Sequence, residues 1–213
     1  MAVTFVPAAS DHMGPDDWFR LDVARSLLLS KYIDAWGLPQ ARKAISKDAE
    51  KTVIEVYYFP PGQQNVARFA TVGLCEATRI LRKGSHYEFL LALPDDLGNA
   101  TQEAVFDYLL SIAVYSLKPE VQLRYGYAVG PSPLAPPSWD ARGLLFDEPR
   151  GEVEELTKTR IADHDVHLLW AIPVHANEFD LVRARDVGAL DSLARVSNES
   201  IIDPLRASFV RVR

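Results

Sequence analysis

Residues 168–181 read "LLWAIPVHANEFDL", an apolar run, a proline, and then His175 and Glu178 three apart. The segment 167–172 has the apolar character of a buried strand, and the change of pattern after Pro173 marks the start of a helix. Two chemistries compete for the pair that follows. Residues three apart on a helix share a face, so His175 and Glu178 are candidates for a metal or acid/base site. The helical zinc patterns, however, need a second histidine, and Phe179 stands where an H-x-x-E-H motif would place it. A carboxylate near the third helical position instead accepts hydrogen bonds from the free N–H groups of the first turn. Glu178 is therefore expected to cap, with His175 incidental to it.

Other elements follow outward from this corner. Pro15, Asp16 and Asp17 suit a helix start, and Trp18, Leu21, Ala24, Leu28, Tyr32 and Ala35 recur at helical spacing up to Gly37-Leu38-Pro39. "TVIEVYYF" (52–59) and "RFATVGLC" (68–75) are expected to be two strands of a hairpin around Pro60-Pro61-Gly62. "HYEFLLAL" (86–93) is apolar on both parities apart from His86 and Glu88, as in a central strand covered on both faces. The stretch 101–118 predicts a broad apolar helix buried on the sheet, and 176–194 a helical pair. Between 126 and 151, five prolines and four glycines predict irregular backbone with short edge strands. Residues 1–13 read as an arm and 14–213 as one domain of the α+β class, a mixed β-sheet packed by several helices.

The 213 residues carry 29 acidic and 23 basic side chains, a formal charge of -6, and 48% are hydrophobic. That sign disfavours nucleic acid as a partner. No run of apolar residues is long enough for a membrane span, and the first residues lack a secretory pattern, so a cytoplasmic protein is expected. Cys75 is the only cysteine, which rules out a disulfide within the chain and suits a reducing compartment.

Catalytic signals are sparse. His164 and His167 are an odd number apart, which on a strand points them to opposite faces. Cys75 reads as a small buried hydrophobe, and Ser85-His86 is mere adjacency. Neither a nucleophile elbow nor a phosphate-binding glycine loop is present. The acids at Asp95-Asp96 and at Asp147, Glu148, Glu152, Glu154 and Glu155 read as a solvated surface or as recognition of a basic partner. Glu88 interrupts an apolar strand, so it must be paired or hydrogen-bonded, with Arg68, Arg79 and Arg82 as candidate partners and a structural role expected.

Four segments together resemble the suppressor of fused (SUFU) domain family: "VIEVYYFPPGQQNVARFATVGLC", with Thr71 and Gly73; "YEFLLALP", with Glu88; "WDARGLLFDEP"; and "VHLLWAIPVHANEFDLVRARDVGALDSL", with Pro173, Glu178 and Gly188. The resemblance is strongest over residues 50–195. It implies a mixed α/β (α+β) interaction module that carries over no catalytic residue, metal or cofactor. The animal namesake restrains a transcription factor and has a further C-terminal domain, whereas short stand-alone members resemble bacterial immunity proteins that block a toxin. A protein partner is therefore expected, basic in character. The Pro/Gly-rich stretch supplies the candidate partner-facing residues Trp139, Asp140, Phe146, Asp147 and Glu148. Two other readings stay open: a small metal-dependent hydrolase using His164, His167 and His175, and a regulatory subunit of a constitutive complex.

Overall fold

The computed structural model describes residues 13–45, 53–62, 64–81, 84 and 86–210. In chain order the helices are α1 (Pro15–Trp36), α2 (Leu74–Ile80), α3 (Gln102–Ser116), α4 (Glu154–Thr157), α5 (Ala176–Ala184) and α6 (Val187–Ala194). The strands are β1 (Ala41–Ile45), β2 (Ile54–Phe59), β3 (Val66–Val72), β4 (His86–Pro94), β5 (Tyr127–Val129), β6 (Gly143–Asp147), β7 (Lys158–Ile161) and β8 (His164–Val174). They form one mixed sheet in the order β1-β2-β3-β4-β8-β6-β5, with β7 also paired to β8. Only β4 and β8 run parallel; the other pairings are antiparallel. The α+β fold with a mixed, helix-packed sheet is the one the sequence predicts. The arm expected over 1–13 lies, but for Met13, outside the described residues.

Strands apolar on both parities have both faces covered here. Phe89, Leu91 and Leu93 of β4 pack into the core beneath α3, with Phe69, Phe106, Leu109 and Phe146. Leu90 and Ala92 face the other way, into a second core with Leu28, Tyr32, Trp170, Ile172 and Leu190, drawn from α1, β8 and α6. Helix α1 contributes its Leu21, Ala24, Leu28 and Tyr32 face.

The second strand of the predicted hairpin ends earlier than its apolar pattern suggests. β3 stops at Val72, and Leu74 and Cys75 begin α2. Gly73 makes the corner: its φ is 97°, and a Cβ there would come within 2.0 Å of the Val53 carbonyl oxygen. Glycine alone meets both demands. Cys75 is thus a buried helical thiol, which burial pushes well above its ordinary pKa.

Candidate functional site

The corner that opened the sequence is built around a buried ion pair. Pro173 lies inside β8, paired with Leu144 of β6, and the chain turns at His175 into α5. Glu178 Oε2 accepts from the His175 amide at 2.9 Å, the expected cap. It also meets Arg206, whose guanidinium donates to Glu178 Oε1 at 2.6 Å and Oε2 at 2.7 Å, while the Phe209 amide donates to Oε1 at 2.8 Å. Both side chains of the pair are fully buried. Arg206 further donates to the Pro173 carbonyl at 3.1 Å, and its guanidinium carbon lies 3.9 Å from the Phe209 ring centre. Burial pushes the Glu178 carboxyl up, but Arg206 and the two amides outweigh it and hold the group below its usual value. His175 Nε2 contacts the Arg206 carbonyl oxygen at 2.8 Å, so the histidine helps fix the same C-terminal segment.

Another buried acid, Glu88, is held by hydrogen bonds, and of the candidate arginines neither Arg68 nor Arg79 pairs with it. It accepts from Thr71 Oγ1 at 2.6 Å and from the amides of Gly73, Leu74 and Cys75 at 2.9, 3.3 and 3.1 Å. Arg79 is engaged by Asp17 and Glu76, and Arg68 by Glu152. Arg82 lies outside the described residues. Neutral donors suffice here because the β3–α2 corner aims three consecutive N–H groups at one carboxylate. Gly188 sits in the first turn of α6, which Asp186 caps through the Ala189 amide at 2.9 Å.

The Pro/Gly-rich stretch divides between core and surface. Trp139 is 2% exposed and Phe146 fully buried, so neither side chain is presented to a partner. Phe146 packs 4.9 Å from Phe89. Trp139 meets Tyr108 edge-on and donates from Nε1 to the Leu97 carbonyl at 3.0 Å. That carbonyl belongs to an unusual turn in which Leu97, Gly98 and Asn99 have φ of 55°, 61° and 58°, a left-handed run that needs support. Ser138 supplies more of it, donating to the Gly98 carbonyl at 2.9 Å. Replacing Trp139 by Phe should remove a buried hydrogen bond and cost about 1–3 kcal/mol, measured by chemical denaturation. Asp140 and Glu148 are exposed, while half-buried Asp147 pairs with Arg150, which also reaches Asp191.

The histidines do not converge. His164 begins β8 and His175 lies beyond its far end, a separation of roughly 36 Å at about 3.3 Å per strand residue. His164 lies against His86 instead, ring centres 4.5 Å apart, and His167 meets Tyr125. Among the described residues no three His, Cys, Asp or Glu side chains gather as metal ligands would. Sequence reasoning missed Arg206: it stands 28 residues from Glu178, and no local pattern joins them.

Comparisons with known proteins place this framework. The family model for suppressor of fused protein (SUFU) matches residues 50–207. A SUFU homologue from Neisseria gonorrhoeae superposes with a TM-score of 0.68 at 17% identity, covering 89% of this chain and 98% of that one. A chain of a Sufu-Fu complex gives a TM-score of 0.59 at 12% identity, covering 89% of this chain and 91% of that one. Drosophila Suppressor of Fused gives 0.54 at 12% identity over 73% of this chain, which spans 42% of that protein. No match was found among curated proteins. No helix among the described residues is long and apolar enough to cross a membrane.

Proposed function

Because the chain belongs to the suppressor of fused family, we propose that it is a non-enzymatic protein-binding domain that restrains its partner, in the most concrete version a toxin that it neutralises. The observation that carries this reading is the fate of the four glutamates buried among the described residues, Glu55, Glu76, Glu88 and Glu178. Burial would suit each of them for general acid/base work, yet each is committed to structure: Glu55 to Arg42 and Tyr57, Glu76 to Arg79, Glu88 to the amides of the β3–α2 corner, and Glu178 to Arg206 and the Phe209 amide. Chemistry would require breaking those contacts; recognition leaves them intact.

One relative of the same fold was solved as a Sufu-Fu complex, so protein recognition has a precedent on this framework. A basic partner fits the formal charge of -6 and the exposed acids Asp140, Glu148, Glu154 and Glu155, because complementary charge speeds encounter. A cytoplasmic setting fits the single, buried thiol of Cys75.

Affinity capture of the tagged chain from its native cells, followed by reconstitution with the purified partner, tests the proposal. One stoichiometric basic protein whose own activity falls when the purified chain is added is the expected result. A chain that recovers no stoichiometric partner, or one whose partner is unaffected by it, overturns the restraining role.

A further inference from the structure

Helix α1 has two apolar faces, and only one is used by the fold. Leu21, Ala24, Leu28 and Tyr32 are buried against the sheet. On the opposite side Phe19, Val23 and Leu27 are 70%, 37% and 44% exposed. Single exposed apolar residues are ordinary, but these three stand at i, i+4 and i+8 and make one continuous stripe. Asp16 lies three residues before Phe19, and Asp34 seven after Leu27, on the same side of the helix, and both are exposed. An apolar centre is therefore closed at each end by an acid, the two about 27 Å apart at about 1.5 Å per residue.

The cations beside this row are turned away from it. Arg20 donates to Asp163 at 2.9 Å, and the Lys31 ammonium donates to the Glu155 carbonyl at 3.0 Å. What remains facing outward, apart from the hydroxyls of Ser26 and Ser30, is apolar and negative. We propose that this face of α1 docks an amphipathic helix of the partner protein, with an apolar middle and lysine or arginine near both ends. The proposal rests on the reading of the chain as a protein-binding domain and names where and what it binds.

Charge argues against the other occupants. If a second copy lay antiparallel with the two apolar rows in register, Asp16 would stand opposite Ser30 and about 6 Å along the axis from Asp34; if parallel, each acid would meet its own copy. Both arrangements bring like charges close together. An anionic lipid surface is repelled for the same reason, since membrane-surface helices carry cations beside the apolar face.

The test uses the full chain and a labelled synthetic helical peptide carrying leucines at i, i+4 and i+8 and lysines at both ends, followed by fluorescence anisotropy. The wild-type chain should bind it, with affinity falling as salt rises. The double variant Phe19→Ser/Leu27→Ser should weaken binding about tenfold or more, as loss of central anchors does. Asp16→Asn/Asp34→Asn should weaken it less and flatten the salt dependence. Val196→Ser, at an exposed apolar residue elsewhere, should change nothing. All these positions are exposed, so unchanged thermal melts establish that the variants fold.

A wild-type chain that does not bind, or equal binding by the Phe19→Ser/Leu27→Ser variant, overturns the proposal. So does binding that appears only after residues 1–12 are deleted, a wild-type dimer that this variant dissolves, or flotation with phosphatidylglycerol vesicles that depends on Phe19. If the captured natural partner holds the Phe19→Ser/Leu27→Ser protein as tightly as wild type, the face is wrong while the binding role stands. If no natural partner exists, the binding role itself falls.

Discussion

Glu178→Ala is expected to destabilise the protein by about 3–5 kcal/mol, the cost of stranding one member of a buried ion pair. A lost helix cap alone would cost about 0.5–2 kcal/mol. The difference arises from Arg206, which is fully buried and whose guanidinium would face a cavity with its charge uncompensated. The Phe209 amide would lose its acceptor as well. Because α5 and the segment 203–210 meet only through such long-range contacts, the loss should appear in equilibrium denaturation as a lower midpoint. Arg206→Ala should cost a similar amount, and the double alanine variant less than the sum of the two. Additive losses would show that the pair is not the coupling element.

The same group sets a pH dependence. Burial raises the Glu178 carboxyl, Arg206 and the amides more than reverse this, and the folded-state value lies below the unfolded one. Its contribution is then full above the unfolded value of about 4.3 and is lost as pH falls through the folded value. Glu178→Gln should remove that part of the acid sensitivity.

What could be read from the sequence is what local pattern encodes. α1, the β2–β3 hairpin, β4, α3, β8 and the α5–α6 pair each carry their period or apolar run within their own residues. β1, "ARKAI", escapes because an edge strand is half exposed and charged: Arg42 reaches Glu55, and Lys43 reaches Glu103 and Asp107. α2 escapes because it starts one residue after β3, across a left-handed glycine, so the apolar run continues through a change of structure. β7, "KTRI", alternates exposed and buried and could have been found from its period of two. Composition points to the Pro/Gly-rich stretch, Trp139 and Phe146 included, as the partner face. Those two are core because the left-handed turn at 97–99 and the β6 strand place them there, and a Pro/Gly count carries no information about that. Glu178 could be found as a cap from its spacing after Pro173, yet its partner could not, since Arg206 reaches it only in three dimensions.

Glu88→Ala should be comparably damaging, about 3–5 kcal/mol, for a different reason. No charge is stranded; instead the amides of Gly73, Leu74 and Cys75 and the Thr71 hydroxyl lose a shared acceptor inside the protein. Each buried donor left without a partner costs about 1–3 kcal/mol, and partial relaxation of α2 keeps the total below the simple sum. Thr71 also accepts from the Phe89 amide at 2.7 Å, so the disturbance passes into β4. Glu88→Gln keeps one acceptor and turns a donor toward Thr71 or the amides, and should fall between wild type and alanine. Its pH behaviour should oppose that of Glu178. Burial raises the Glu88 carboxyl by more than Thr71 and the Cys75 and Gly73 amides lower it. The folded value therefore exceeds the unfolded one of about 4.3, and the contribution is full below that and is lost as pH rises through the folded value. Compared with its own glutamine variant, wild type should gain ground toward acid at position 88 and lose ground at position 178. Difference curves of the same sign at both positions would mean that the neutral donors around Glu88 hold it as an ion as firmly as Arg206 holds Glu178.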